Sequence, residues 1–380
     1  MAPLAALIIV SIASGAARRA SADVRGNWKK DRYPIERGGK WGYIDAAGKI
    51  VIRPRFDQAD YFSEGLAAVR IGRLHGYIDR AGKVAIAPRF RMALHFREGL
   101  AWTEGDQNGF IDRTGKIVVT APPGTYCREF RYGLALAMPL PLAQQGSTET
   151  TPDPASPPSL PDGPPTLRCG YIDRTGSYTI NPQFDAATDF EYGFAAAAVD
   201  GKWGLIDRDG DFVVPPQYDG ATYVSEGVAV VWIGHHAAFI TKFGRRLNDA
   251  DYDDAQPFIE GLAPVKLDGK WGFINPAGAL AIPPKFDLVS EFFNGRASVM
   301  IGGKYGYIDR SGKLVVPPTY DYGHFFLGDL AAVSLAPNGP DGAPSGYINR
   351  SGRLVWWPGA GAAGAGKARR WTPQSRPRAG

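Results

Sequence analysis

The sequence predicts an all-β protein made of about nine similar units of 34 residues, each an antiparallel three-stranded meander. One phrase, Gly-(Tyr/Phe/Leu)-Ile-(Asp/Asn), recurs through most of the 380 residues at a spacing close to 34. The 48 glycines and 31 prolines favour many tight turns and short strands over long helices. A hydrophobic content of 44% is enough to form a core.

The recurring phrase sets the register of the units. It begins at Gly42, Gly76, Gly109, Gly170, Gly204, Gly272, Gly306 and Gly346, and a degenerate copy runs from Ala238 to Thr241. A period of 34 is also typical of helical tetratricopeptide repeats. However, every unit has a glycine three residues after the phrase, and seven of the nine have a proline six residues later. These two residues would break a helix pair, so the units are predicted to be β.

The second unit illustrates the predicted strands. Residues 66–70 and 75–79 form a hairpin, and a turn over 79–82 leads into a third strand over 83–87. Asp or Asn opens this turn and Gly closes it in the left-handed conformation. The following proline is expected to end the pairing. The turn residues predicted in this way include Asp45, Gly48, Asp79, Gly82, Asp309 and Gly312.

The remaining segments differ in composition from the repeats. We expect a signal peptide over 1–22 with cleavage after Ala22, a lead-in over 23–39, repeats 1–3 over 40–138 and repeats 4–9 over 169–357. Residues 139–168 are predicted to be a Pro-rich disordered insertion within one hairpin, and 358–380 a flexible basic tail. The tail accounts for the whole net charge of +5, so the repeats are not a basic surface for nucleic acid. No segment of the mature chain is long and apolar enough to predict a transmembrane span.

The repeated unit resembles the WG-containing repeat family. The motif is Lys40-Trp41-Gly42-Tyr43-Ile44-Asp45 in the first unit, and it recurs at Lys202-Trp203-Gly204 and Lys270-Trp271-Gly272. An accompanying Glu-Gly-Leu-Ala phrase starts at Glu64, Glu98 and Glu260. Other units have His75, Asn108, Cys169, Ala237 or Ser345 in place of the tryptophan. The resemblance implies a mostly bacterial, non-catalytic repeat module, and it identifies no active site.

The units could be stacked in two ways. We favour an open, superhelical solenoid, because propellers typically use 4–8 blades of four strands and this chain has nine units of three. A propeller-like closure is the alternative.

No constellation of residues predicts an enzyme or a cofactor. The recurring carboxylates are equivalent copies with a role in turns, whereas a glycosidase needs two unequal carboxylates in one cleft. The segment Asp207–Asp211 begins like a calcium loop, but Tyr218 stands where an EF-hand needs a carboxylate. The five histidines lie in different units or at a hairpin tip, so we expect no metal site.

The aromatic residues provide the binding hypothesis. Those at corresponding points of the units could stack on sugar rings or hold a peptide, and packing between units is the competing interpretation. The candidates are Trp41, Tyr43, Trp203, Trp271, Tyr305 and Tyr307. We therefore expect a secreted or periplasmic, non-enzymatic scaffold that binds a protein or peptide. The alternative is a cell-envelope glycan-binding module.

The two cysteines, Cys127 and Cys169, are not expected to form a disulfide, although the bridge is possible. The repeat register places them at opposite ends of one hairpin, about 20 Å apart at roughly 3.3 Å per residue. A disulfide joins Cα atoms no more than about 7 Å apart.

Overall fold

The computed structural model describes residues 32–139, 168–335 and 346–358, and these ranges contain strands and turns but no helix. The predicted signal peptide, most of the Pro-rich insertion and nearly all of the basic tail lie outside them. Thirty-four strands form nine antiparallel sheets, whose strands follow one another in chain order.

The first three sheets span residues 33–120. Sheet 1 contains β1 (Tyr33–Arg37), β2 (Lys40–Ile44) and β3 (Ile50–Phe56). Sheet 2 contains β4 (Gln58–Ala59), β5 (Leu66–Ile71), β6 (Leu74–Asp79) and β7 (Val84–Phe90). Sheet 3 contains β8 (Met92–Ala93), β9 (Ala101–Glu104), β10 (Gly109–Ile111) and β11 (Ile117–Thr120).

Sheets 4 to 6 span residues 125–241. Sheet 4 contains β12 (Thr125–Cys127), β13 (Ala135–Pro139), β14 (Cys169–Ile172) and β15 (Tyr178–Phe184). Sheet 5 contains β16 (Ala186–Ala187), β17 (Ala195–Val199), β18 (Lys202–Ile206) and β19 (Phe212–Tyr218). Sheet 6 contains β20 (Gly220–Ala221), β21 (Val228–Ile233) and β22 (His236–Thr241).

Sheets 7 to 9 span residues 254–356. Sheet 7 contains β23 (Asp254–Ala255), β24 (Ala263–Leu267), β25 (Lys270–Ile274) and β26 (Leu280–Phe286). Sheet 8 contains β27 (Leu288–Val289), β28 (Ala297–Ile301), β29 (Lys304–Ile308) and β30 (Leu314–Tyr320). Sheet 9 contains β31 (Tyr322–Leu327), β32 (Leu330–Ser334), β33 (Gly346–Asn349) and β34 (Leu354–Trp356).

Most sheets have four strands, which we name a, b, c and d in chain order. Strands b, c and d are those of the predicted meander, and strand a is a short addition of two residues in most sheets. Among the described residues, sheet 1 lacks strand a and sheet 6 lacks strand d. The sequence did not indicate strand a, because a run of two residues is too short to show a β pattern.

In six units the proline lies inside strand d and does not end the pairing, which corrects the expectation, whereas Pro358 of the last unit lies beyond β34. Pro54 lies inside β3, where pairing passes from Tyr43 with Ile52 to Trp41 with Phe56 across a bulge. The bulge brings the strand d backbone onto Gly42, where a Cβ atom would lie 2.5 Å from the Ile52 carbonyl oxygen and 2.6 Å from the Pro54 nitrogen. The glycine of the Trp-Gly motif is therefore required because no side chain fits beneath the bulge.

The core lies between sheets. Tyr43, Ile52 and Phe56 of sheet 1 pack against Ala67, Val69 and Ile78 of sheet 2. A tyrosine hydroxyl reinforces this interface, because Tyr43 Oη donates a hydrogen bond of 2.7 Å to the Asp60 carbonyl of sheet 2. Tyr77, Tyr171 and Tyr307 make the same contact with the next sheet at 2.6–2.7 Å.

The last sheet joins the first through the same contact. Tyr347 Oη donates to the Pro34 carbonyl at 2.7 Å, and its ring lies 5.8 Å from that of Tyr33. Ile35 and Trp356 are buried in the same cluster. The nine sheets are therefore the blades of a closed, nine-bladed propeller, which is the alternative and not the open solenoid that we favoured. An open stack would expose the apolar edges of sheets 1 and 9, whereas closure buries them.

Candidate functional site

The aromatic residues predicted as ligand contacts lie mostly inside the blade interfaces. Tyr43 and Tyr307 are fully buried, and Trp203 and Trp271 are only 5% and 6% exposed. Trp41 and Tyr305 are half-buried. Burial raises the pKa of both Tyr43 and Tyr307 well above the usual value. These side chains pack one blade against the next, so packing between units, and not ligand contact, is their main role.

The predicted turn residues lie in the turns between strands c and d. The Asp309 carboxylate accepts hydrogen bonds from the N–H groups of Ser311 and Lys313, and the Gly312 N–H donates to the Asp309 carbonyl. A further hydrogen bond from the Ser311 hydroxyl lowers the pKa of Asp309. The backbone bonds are the same at Asp45 with Gly48 and at Asp79 with Gly82.

Both cysteines are buried free thiols. Cys127 pairs with Ala137 of β13, and Ala137 pairs with Gly170 on its other side, so one strand separates the two cysteines. Two strand spacings amount to about 10 Å, which is shorter than the expected 20 Å but still too long for a disulfide. Burial raises the pKa of the Cys127 thiol to about 12 and that of Cys169 to about 11.

A buried ionic network joins blades 3, 4 and 5, and the sequence did not predict it. His95 Nε2 lies 2.7 Å from Glu129 Oε1 in the next blade. Arg131 forms an ion pair with Glu191, and its Nε lies 3.6 Å from Asp189 Oδ2. The network occupies the segments between strands a and b, where residue type varies from unit to unit and gives no repeat signal. The described residues include no group of His, Cys, Asp and Glu suited to a metal ion.

The turns between strands a and b form one surface of the ring, which we call the turn face. In seven of these turns two successive residues have positive φ, such as Glu98 at 50° and Gly99 at 80°. The Glu98 carboxylate accepts hydrogen bonds from the Tyr132 and Gly133 N–H groups of the next blade at 2.6 and 3.1 Å. Glu260 binds the Asn294 and Gly295 N–H groups in the same way, at 2.7 and 2.9 Å.

An arginine of the next blade adds a positive charge to each of these carboxylates. Arg174 Nη2 donates to the Glu98 carbonyl at 2.9 Å and to Glu98 Oε2 at 3.0 Å. Arg310 donates to the Glu260 carbonyl, and its Nη1 lies 3.8 Å from Glu260 Oε2. The glutamate is thus held by two N–H groups and one cation of the following blade, and we call this arrangement the glutamate bridge.

Two blades have tyrosine at the position of the bridging glutamate. Tyr132 of blade 4 and Tyr192 of blade 5 are 42% and 57% exposed, and their ring centroids lie 6.3 Å apart. Phe243, in the c–d turn of blade 6, is 68% exposed and lies 6.3 Å from the half-buried Phe194. Lys242 Nζ lies 5.0 and 5.1 Å from these two phenylalanine rings.

The candidate functional site is a group of residues that we call the aromatic patch, which consists of Tyr132, Tyr192, Phe194, Phe243 and Lys242. Clustered exposed aromatic rings on a soluble protein are typical of a binding surface. The departure of residues 132 and 192 from the Glu-Gly phrase was the available sequence signal. The prediction missed it because it searched for aromatics that recur in every unit.

Comparison with known proteins gives one family. The WG containing repeat matches at residues 41–74, 76–104, 170–203, 203–231, 249–271, 271–305 and 305–335, which together exceed half of the chain. No curated protein matches the sequence. No helix in the described residues is long and apolar enough to cross a membrane.

Solved structures resemble the chain only distantly. The crystal structure of a eukaryotic initiation factor is 10% identical with a TM-score of 0.43, and the match covers 85% of each chain. The dihydro-heme d1 dehydrogenase NirN in complex with DHE is 11% identical with a TM-score of 0.42, and the match covers 86% of this chain and 76% of that one.

Proposed function

This chain belongs to the WG-containing repeat family, and we propose that it is an exported, non-enzymatic propeller scaffold that binds a protein or peptide through the aromatic patch. The observation that carries the proposal is the exposure of three aromatic rings. Those of Tyr132 and Tyr192 lie 6.3 Å apart, and that of Phe243 lies 6.3 Å from the ring of Phe194. Tyrosine and phenylalanine are enriched in protein interfaces, where each large ring buries much apolar area for little loss of side-chain entropy.

The shape of the patch favours a peptide over a carbohydrate. The rings of Tyr132 and Tyr192 are inclined at 44° and those of Phe194 and Phe243 at 84°, so neither pair forms a flat platform. Inclined rings fit the irregular outline of side chains better than the flat face of a sugar. A cell-envelope glycan remains the second candidate, because the exposed tyrosines could still stack on individual sugar rings.

The non-enzymatic part of the proposal is supported by the contacts of the recurring carboxylates. Asp45, Asp79 and Asp309 each accept hydrogen bonds from the backbone of their own turn. Each carboxylate therefore has a structural role within one turn, whereas a glycosidase needs two unequal acids in one cleft.

The proposal is tested by binding with and without the patch. Wild-type protein and the triple variant Tyr132→Ala/Tyr192→Ala/Phe243→Ala are used in a pull-down from envelope extract and in co-sedimentation with envelope polysaccharide. We expect a protein partner that is captured by the wild type and lost by the triple variant. The matched control is Leu280→Ala, which removes an exposed apolar side chain from strand d of blade 7. Polysaccharide binding that depends on the patch, without a protein partner, would favour the glycan candidate.

Export is proposed from the sequence of residues 1–22 and is tested separately. N-terminal sequencing of the protein recovered from periplasm or culture medium should begin at Asp23. An intact N-terminus on protein retained in the cytoplasm would contradict it.

A further inference from the structure

The glutamate bridge is incomplete where blade 5 meets blade 6. In the bridges to blades 4 and 8, two backbone N–H groups and an arginine of the later blade hold a carboxylate of the earlier blade. At the junction of blades 5 and 6 the residue at the glutamate position is Tyr192, whose side chain has no carboxylate. The other parts of the bridge are still present.

The N–H groups of the following turn have the usual geometry. Glu226 and Gly227 have φ values of 53° and 85°, close to the 52° and 71° of Asn294 and Gly295, which hold Glu260. Two successive N–H groups in this conformation form a concave anion-binding surface. Glu226 is exposed and Gly227 half-buried, so the pair can be reached from outside.

The cation is present as well. Lys242 stands at the turn position of Arg174 and Arg310, and its backbone N–H donates to the Gly227 carbonyl at 3.0 Å. Its ammonium group lies over the rings of Phe194 and Phe243 instead of pairing with an acid. The carboxylate of Glu226 in the same blade accepts a hydrogen bond from the Gly261 N–H of blade 7 at 3.0 Å.

We propose that this junction binds an acidic side chain of the peptide ligand, whose carboxylate takes the place of the missing glutamate on the Glu226 and Gly227 N–H groups beside Lys242. The exposed rings of Tyr192 and Phe243 then pack on apolar residues of the same peptide. This inference rests on the proposed function, which it narrows to peptides that present Glu or Asp beside an apolar or proline residue.

A peptide is favoured as the source of the carboxylate because the glutamate bridge has the geometry for a glutamate side chain. The ligand held in the other blades is itself a glutamate side chain, so the distance between the two N–H groups and the cation already suits that group. The hydrogen bonds are charge-assisted and are therefore the stronger kind.

The test starts from a random peptide library displayed on phage. Selection on the wild-type protein, with counter-selection on the triple variant of the patch, yields peptides that need the patch. The selected peptides are synthesised with capped ends, together with twins in which each Glu or Asp is replaced by Gln or Asn. Affinities are measured by fluorescence anisotropy.

Variants of the junction between blades 5 and 6 test separately the contribution of the backbone N–H groups and that of the Lys242 charge. Tyr192→Glu supplies an internal carboxylate that occupies the N–H groups, and Tyr192→Phe is its control because it keeps the ring. Lys242→Met removes the charge and keeps the apolar stem. Thermal melts confirm that each variant is folded.

We expect the selected peptides to contain an acid and the amide twins to bind about tenfold more weakly, as for the loss of one charge-assisted contact. Tyr192→Glu and Lys242→Met should weaken the acidic peptides to a similar extent, and Tyr192→Phe should not.

Three results would overturn the inference in different ways. Patch-dependent peptides that bind equally well as amide twins would leave the proposed function in place and remove the carboxylate site. The absence of any patch-dependent peptide would contradict both the proposed function and the carboxylate site. Oligogalacturonate that displaces the peptides in a Lys242-dependent manner at lower concentration would assign the carboxylate to a uronic acid.

Discussion

The junction between blades 3 and 4 differs on the turn face from the junction between blades 5 and 6. At the first, Glu98 connects the two blades through two N–H groups and Arg174. At the second, Tyr192 stands at the glutamate position and is 57% exposed, and Lys242 replaces the arginine. These two side chains distinguish a self-contained junction from one that can accept a ligand.

The difference shows how a repeat protein can acquire a site without changing its fold. The core contacts are present in every part of the ring, so the turn face can vary at little cost to the whole. Where a repeat gives up one of its own hydrogen bonds, the remaining donors become available to a partner. The site is therefore found as a departure from the repeat and not as a repeated feature.

The largest expected difference between a junction with the complete glutamate bridge, here that of blades 7 and 8, and the junction of blades 5 and 6 concerns the glycine of the turn after strand c. A Cβ atom on Gly312 of blade 8 would lie 2.8 Å from Ile282 Cγ2 of blade 7, whereas one on Gly244 of blade 6 would lie 3.3 Å from Val214 Cγ2 of blade 5. Both glycines have φ near 80°, so the backbone strain of alanine is matched. Gly312→Ala should destabilise the protein by about 3 kcal/mol and Gly244→Ala by about 1.5 kcal/mol.

Urea denaturation of both variants measures this difference. Equal losses would mean that the junction of blades 5 and 6 is packed as tightly as the others. The tail substitution Gly359→Val is a further control that should leave stability unchanged.

The second prediction concerns a contact that other junctions of the ring have and that the two compared junctions lack, since Phe110 and Leu205 stand at its position there. The hydroxyl of Tyr171 connects blades 4 and 5, and that of Tyr77 connects blades 2 and 3, both at 2.6 Å. Tyr171→Phe and Tyr77→Phe should each cost about 1–2 kcal/mol, because a carbonyl in the blade interface loses its donor. Tyr347→Phe should cost the same, since it removes the equivalent bond between blades 9 and 1.

The midpoints of thermal unfolding decide this prediction. A neutral Tyr347→Phe beside two destabilising variants would contradict the closed ring. A much smaller loss at Tyr171 than at Tyr77 would show that the hydroxyl does not contribute equally to the blade interfaces that have it.

The sequence predicted the local structure well and the closure poorly, for a physical reason. The Asp and Gly of each turn, the Trp-Gly motif and the strands around them depend on neighbouring residues, so a period of 34 reveals them. Closure depends on the angle between blades, which is set by many buried side chains such as those of Tyr33, Ile35 and Trp356. No short motif encodes that angle.

The candidate site was missed for a related reason. Trp41 and its counterparts recur, and recurrence in a repeat array indicates packing between the units. Tyr132 and Tyr192 do not recur, and their value as a signal becomes visible only when the contacts of Glu98 and Glu260 show what the missing residue would have done. The strands on either side of the predicted insertion, β13 and β14, pair with each other.

The third prediction concerns removal of the glutamate bridge between blades 3 and 4. Glu98→Gln keeps the length of the side chain but replaces a carboxylate oxygen with an amide, so one of the two N–H contacts and the attraction of Arg174 are lost. Because Glu98 is partly exposed, we expect a loss of only about 1 kcal/mol. Glu260→Gln at the junction of blades 7 and 8 is the replicate and should behave alike. No loss at either position would show that the bridges contribute nothing to the ring.

The smallest expected effect is the reverse change at the open junction. Tyr192→Glu should bring the carboxylate to the Glu226 and Gly227 N–H groups, with Lys242 in the role of Arg174. The gain of the bridge is offset by loss of the ring contact with Tyr132, so the net stabilisation should be about 0.5 kcal/mol or less. Tyr192→Gln, which removes the ring without adding a charge, should instead be slightly destabilising.

Combining each variant with Lys242→Met completes a double-mutant cycle, in which the charge pair is the only coupling that the two substitutions share. A coupling between Glu at position 192 and Lys242 that falls as salt is raised would identify the rebuilt bridge, whereas zero coupling at low salt would mean that the open junction cannot hold a carboxylate.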